Sequence, residues 1–90
     1  MRKDVIRVVD NIVNEIVGGY YNSMLDDNKE DFTKFTKENF VNEFVDLIYL
    51  ESTREEGNIK FEGKDNIKQH ILIKLATDND FKEIMDYVRG

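Results

Sequence analysis

The chain of 90 residues contains no cysteine, no proline and no tryptophan, and it has a single histidine. Without cysteine it can form no disulfide bond, build no cysteine-based zinc site and carry out no thiol chemistry. The one histidine, His70, would need a nucleophile or a carboxylate beside it to act as a general base. Its neighbours four residues away on a helix, Asn66 and Lys74, provide neither. We therefore expect no catalytic residue and no enzyme activity.

Long apolar runs and an excess of positive charge are also missing. No run approaches the ~20 apolar residues that span a bilayer, and the basic start of the chain is not followed by the apolar stretch of a signal peptide. We therefore predict a cytoplasmic protein that does not contact the membrane. Because 13 Lys and Arg stand against 19 Asp and Glu, giving a net charge of −6, we expect no direct binding to nucleic acid.

Motifs for cofactors and metals are absent as well. The glycines do not form a phosphate-binding loop, since Gly18-Gly19 precedes no Lys-Ser or Lys-Thr pair. An EF-hand loop starting at Asp26 would need glycine at its sixth position and glutamate at its twelfth, where the chain has Asp31 and Lys37. The sequence therefore predicts no cofactor and no dedicated metal site.

The composition is that of a folded protein, with 40% hydrophobic and 36% charged residues. The length predicts one globular domain over residues 1–90. Apolar residues at steps of three and four predict a first helix over 4–25, in which Gly18-Gly19 marks a helix end or a close helix crossing. A second helix is predicted over 40–51, although its alternate residues also fit a strand.

Further helices are predicted around Phe32 and Phe35, from an Asp65 cap to residue 76, and after an Asp80–Glu83 capping pair. The strictly alternating segment 58–62 predicts a short strand. The predicted fold is mainly α, a compact four- to five-helix domain with one short β segment near 58–62; the alternative is α+β. The expected core is Val9, Ile12, Val13, Ile16, Tyr20, Phe40, Phe44, Leu47, Ile48, Ile71, Leu75, Phe81 and Met85.

The function that we expect follows from surplus apolar surface. A domain this small leaves much of its apolar surface accessible, and such surface is typical of association sites. We predict a non-enzymatic, small cytosolic protein–protein interaction or regulatory module, from a mobile element or phage, that acts as a homodimer or with a protein partner. The candidate partner contacts, expected outside the main core, are Ile6, Tyr21, Phe32 and Phe35.

Two alternatives remain open at this stage. The first is an acidic mimic of nucleic acid that inhibits a DNA- or RNA-binding protein, which requires a face of carboxylates alone. The lysines are interspersed among the acids, a pattern that indicates an ordinary solvated surface.

The second alternative comes from a resemblance. The tyrosine pair within 19–27, the phenylalanines at 32 and 35, and the Gly63 turn within 61–67 resemble the opening of NTF2-like domains. The resemblance covers 5–72 and implies a truncated small-ligand-binding domain with a curved sheet. None of that family's pocket residues can be carried over to this chain.

Overall fold

The computed structural model describes residues 1–55 and 62–90, which form four α-helices and one 3-10 helix. Helix α1 is Lys3–Leu25, the 3-10 helix is Lys29–Phe32, α2 is Phe40–Glu55, α3 is Lys64–Ala76 and α4 is Asn79–Arg89. The mainly α prediction is confirmed, and 40–51 is helix rather than strand. Of the predicted β segment, 58–61 lies outside the described residues, and Glu62 lies in a bend.

Helix α1 is the long central element. Its apolar stripe is buried along most of the helix, at Val5, Val9, Ile12, Val13 and Val17. The prediction that Gly18-Gly19 ends the helix or marks a close crossing is wrong, because the helix continues to Leu25 and a Cβ at either glycine would meet no atom within 4 Å. The reason is that the apolar pattern resumes beyond the glycines, where Tyr20 and Met24 pack against the core.

Helices α3 and α4 follow α1 in the same direction, one after the other. Three hydrogen bonds show this, each joining residues that are 60 apart in the sequence. The pairs are Arg2 with Glu62, Asp10 with His70, and Asp27 with Tyr87. The similar offsets indicate that α3 and α4 together run along the length of α1.

Helix α2 runs in the opposite direction. Early in α3, Lys64 places its Nζ 5.7 Å from the ring centroid of Tyr49, and one turn later Lys68 forms an ion pair with Asp46. Later residues of α3 therefore meet earlier residues of α2, as in an antiparallel helix pair. The resulting bundle is elongated, with extents of 38 × 22 × 22 Å.

The core lies where the four helices meet, and its buried residues come mostly from α1 and α2. The predicted core residues that are buried are Val9, Ile12, Val13, Phe40, Phe44, Ile48, Ile71, Leu75 and Phe81. Those that are only half-buried are Ile16, Tyr20, Leu47 and Met85. Buried apolar residues outside the predicted set are Val5, Val17, Phe32, Val45, Ile67 and Ile84. Several of them continue a predicted row of four-residue steps towards the helix ends, as Val5 and Val17 do in α1 and Ile67 does in α3.

The helix starts differ from the predicted caps by a residue or two. Helix α3 begins after Gly63, so Asp65 lies in its first turn instead of capping it. Helix α4 is capped by Asp78, whose Oδ1 accepts a hydrogen bond from the Phe81 backbone N–H at 3.0 Å; Asp80 lies in the first turn. An aspartate cap accepts from a backbone amide two or three residues on, and Asp78 has the required position.

Candidate functional site

The structure separates the four candidate contact residues. Phe32 is only 6% exposed, so the expectation that it lies outside the main core is wrong. Its ring packs between Tyr20 and Tyr87, each with a centroid 5.4 Å away. Phe35 is half-buried at the edge of the same aromatic cluster, 5.5 Å from Tyr20. Phe35 alone of these two therefore reaches the surface.

The other two candidates lie on different parts of α1. Tyr21 is half-buried, and the Glu83 carboxylate of α4, by hydrogen bonding and by its charge, raises the pKa of the Tyr21 phenol above 10.0. Ile6 is half-buried in the first turns of the helix. It lies ~22 Å from Tyr21 along the helix axis, at ~1.5 Å per residue. The structure does not bring Ile6, Tyr21 and Phe35 together into one compact surface.

A shallow apolar groove lies beside α2 and includes Phe35. We call it the α2 groove; its volume is about 310 Å³. It is lined by Lys34, Phe35, Glu43, Asp46, Leu47 and Leu50. Leu50 is 48% exposed, and Leu47, predicted in the core, is half-buried. Sequence reasoning named Phe35 as a contact residue, but it placed Leu47 in the core and did not single out Leu50, so it did not find the groove.

Fixed polar contacts hold the rim of the α2 groove. The Glu43 carboxylate accepts a hydrogen bond from the Thr36 backbone N–H at 2.6 Å and another from the Thr36 hydroxyl at 3.3 Å. The Lys34 Nζ lies 5.1 Å from the ring centroid of Tyr20 and 5.5 Å from that of Phe35. The lining offers apolar contact and charges of both signs, with neither a histidine nor a hydroxyl.

The single histidine does find a carboxylate, on another helix. The His70 Nε2 lies 2.7 Å from the Asp10 Oδ1, and both side chains are about one-third exposed or less. The neighbours of His70 on its own helix give no sign of this partner, which lies 60 residues away in the sequence. The pair joins α3 to α1. Among the described residues, Asp10 is the side chain that forms a hydrogen bond with His70. A reaction would require a nucleophile as well.

A larger groove, of about 570 Å³, lies at the junction of α3 and α4. Apolar side chains such as Leu72, Phe81 and Met85 line it. The aspartate at its edge, Asp78, already caps α4. Thr77, Asn79 and Lys82 also line the groove, and the Thr77 hydroxyl donates to the Lys74 backbone carbonyl.

Several carboxylates pair with bases on the surface. The ion pairs in the described parts of the chain include Asp46 with Lys68, and Glu51 with Arg54 at 3.2 Å. These pairs place bases beside acids at the positions that they occupy. The described residues form helices where the NTF2-like alternative would need a curved sheet.

Within residues 1–55 and 62–90, no three side chains of the metal-ligating types come close enough to hold a metal ion. In the same residues, no helix is both long and apolar enough to cross a membrane. Comparison of the chain with protein-family models, with curated proteins and with solved structures gives no match.

The contact between Tyr87 and Asp27 predicts a change of stability at high pH. The Tyr87 hydroxyl donates to the Asp27 Oδ1 at 2.6 Å. This hydrogen bond, with partial burial and the aspartate charge, raises the pKa of Tyr87 to about 12. An unfolded tyrosine ionises near pH 10. The stabilisation is therefore complete below pH 10 and lost as the pH rises from 10 to about 12, since the unfolded chain releases this proton first.

Urea unfolding of the wild type and of Tyr87→Phe, from below pH 10 up to about pH 12, measures how much the Tyr87 hydroxyl contributes to the free energy of unfolding. Phenylalanine keeps the ring beside Phe32 and removes only the hydroxyl. We expect the wild type to be the more stable below pH 10, and the difference to shrink towards pH 12. A difference that stays constant with pH would contradict the assignment.

Proposed function

We propose that the protein is a non-enzymatic protein–protein interaction module whose binding surface is the α2 groove. The observation that carries the proposal is the exposure of Leu50, at 48%, beside the half-buried Phe35 and Leu47. Burying a large aliphatic side chain completely stabilises a contact by ~1.5–3 kcal/mol. An exposed leucine next to two further apolar side chains is therefore a favourable place for another protein to bind.

The arrangement of polar groups supports the same proposal. Protein interfaces have an apolar centre surrounded by a polar rim, and a few central residues supply most of the binding energy. In the α2 groove the apolar side chains are rimmed by Lys34, Glu43 and Asp46. Because Thr36 and two aromatic rings already hold Glu43 and Lys34, little side-chain freedom remains to be lost on binding.

The proposal is tested by placing a photo-crosslinking benzoylphenylalanine at Leu50 in cells of the natural host. The control places the same residue at Glu15, which is exposed on α1 and outside the groove. We expect an adduct of discrete mass from position 50, none from position 15, and loss of the adduct when Leu47→Asp is added. Adducts that are the same at both positions, or that survive Leu47→Asp, would refute the proposal.

A further inference from the structure

One face of α2 has the spacing of a helix-pairing seam. Glu43, Leu47, Leu50 and Arg54 follow one another at steps of four, three and four residues. This is the spacing with which side chains line the contact between two packed helices. The opposite face of α2, which includes Val45 and Ser52, is already buried. The seam is therefore an outward face that the domain itself does not cover at Leu50.

The seam is self-complementary when two copies lie antiparallel. Its two leucines are at the centre, with an acid at one end and a base at the other. Glu43 and Arg54 lie eleven residues apart, ~16.5 Å along the axis. A twofold axis passing between residues 48 and 49 would place Leu47 opposite Leu50 of the second copy, and Glu43 opposite Arg54 of the second copy. A parallel arrangement would instead place like charges together.

We propose that the partner of the α2 groove is a second copy of this chain, bound with the two α2 helices antiparallel. The inference rests on the proposed function and names the partner at the same site. A twofold arrangement uses the same patch on both copies, so each favourable contact occurs twice. The end charges are accessible for it. Arg54 is 68% exposed despite its ion pair with Glu51, and the Glu43 carboxylate can accept hydrogen bonds beyond those from Thr36.

Light scattering and sedimentation over a range of concentrations test the stoichiometry. We expect a species of twice 10.6 kDa. Leu50→Asp should raise its dissociation constant ~30-fold or more, as for a central interface residue. The matched control is Leu25→Asp, since Leu25 is even more exposed, at 64%, but lies at the end of α1. Circular dichroism of both variants checks that each remains folded.

Introduced cysteines test the orientation, because the natural chain has none to interfere. In the antiparallel arrangement, residue 46 of one copy and residue 53 of the other lie on the same edge of the helix pair, ~3 Å apart along the helix axis. The two copies of residue 53 are ~13.5 Å apart along that axis. Mixing Asp46→Cys with Thr53→Cys should therefore give a mixed disulfide, whereas Thr53→Cys alone should give little.

The outcomes separate the inference from the proposed function. A monomer at all concentrations, or a dimer that Leu50→Asp leaves intact, overturns the inference. So does a mixed disulfide no more abundant than that of Thr53→Cys alone. If the protein is monomeric but position 50 still crosslinks in cells to a partner of a different mass, the proposed function stands and the second copy is replaced by that partner. If no specific crosslink forms, both fail.

Discussion

Phe44→Ala is expected to remove ~3–5 kcal/mol from the free energy of unfolding. The Phe44 side chain is fully buried, and its ring lies at the centre of the aromatic cluster. The centroid distances are 4.9 Å to Phe81, 5.4 Å to Tyr20, 5.6 Å to Phe40 and 5.7 Å to Phe35. A domain of this length has a total stability of ~5–13 kcal/mol, at ~0.05–0.15 kcal/mol per residue. The variant should therefore be close to unfolding at room temperature.

Urea unfolding followed by circular dichroism measures this loss, with Phe35→Ala as the matched control. Phe35 belongs to the same cluster but is half-buried, so its truncation leaves a site that water can fill instead of a closed cavity. The loss at Phe44 should be clearly the larger of the two. Equal losses would mean that Phe44 is not the centre of the cluster.

The second large effect is a gain in stability. Gly18→Ala and Gly19→Ala should each stabilise the protein by up to ~1 kcal/mol, because glycine is the weaker helix former. Both glycines lie inside α1, and an added Cβ would meet no atom within 4 Å at either one. Together the changes should raise the melting temperature by up to roughly 8–16 °C, at ~4–8 °C per kcal/mol for a domain of this size.

Gly63→Ala is the control for this gain. Gly63 precedes α3, and its added Cβ would lie 3.2 Å from the Asn66 side-chain nitrogen. Glycine is also better than alanine at a helix N-cap. We expect no increase in melting temperature there. A loss of stability from Gly18→Ala or Gly19→Ala would mean that another group contacts this side of α1.

Much of the helical structure could be predicted from local patterns. The steps of three and four in the first helix, and those joining Phe40, Phe44 and Ile48, correspond to the buried faces that the structure shows. The ambiguity at 40–51 had a physical cause, since a broad apolar face satisfies a two-residue repeat as well. Burial of both Phe44 and Val45 is compatible with adjacent positions on one helix face, whereas a half-buried strand would turn one of them to solvent.

The contacts between distant segments could not be predicted in this way. The partners Asp10 and His70 carry no signal that links them, because each looks like an ordinary surface residue within its own helix. Phe32 was misplaced for a similar reason. Its burial depends on Tyr87, near the other end of the chain, and a short-range pattern contains no information about that ring. The α2 groove likewise depends on where Phe35 packs.

The constant offset of 60 residues between α1 and the α3–α4 pair has a consequence for how the chain folds during synthesis. Helix α1 leaves the ribosome first, but the helices that cover one side of it are made last. In the interval, the 3-10 helix and α2 are the described elements that can cover the apolar stripe of α1, so we expect a helical hairpin of α1 and α2 to form early. Final closure then waits for long-range contacts, which makes folding slower than in bundles stabilised by contacts between neighbours in sequence.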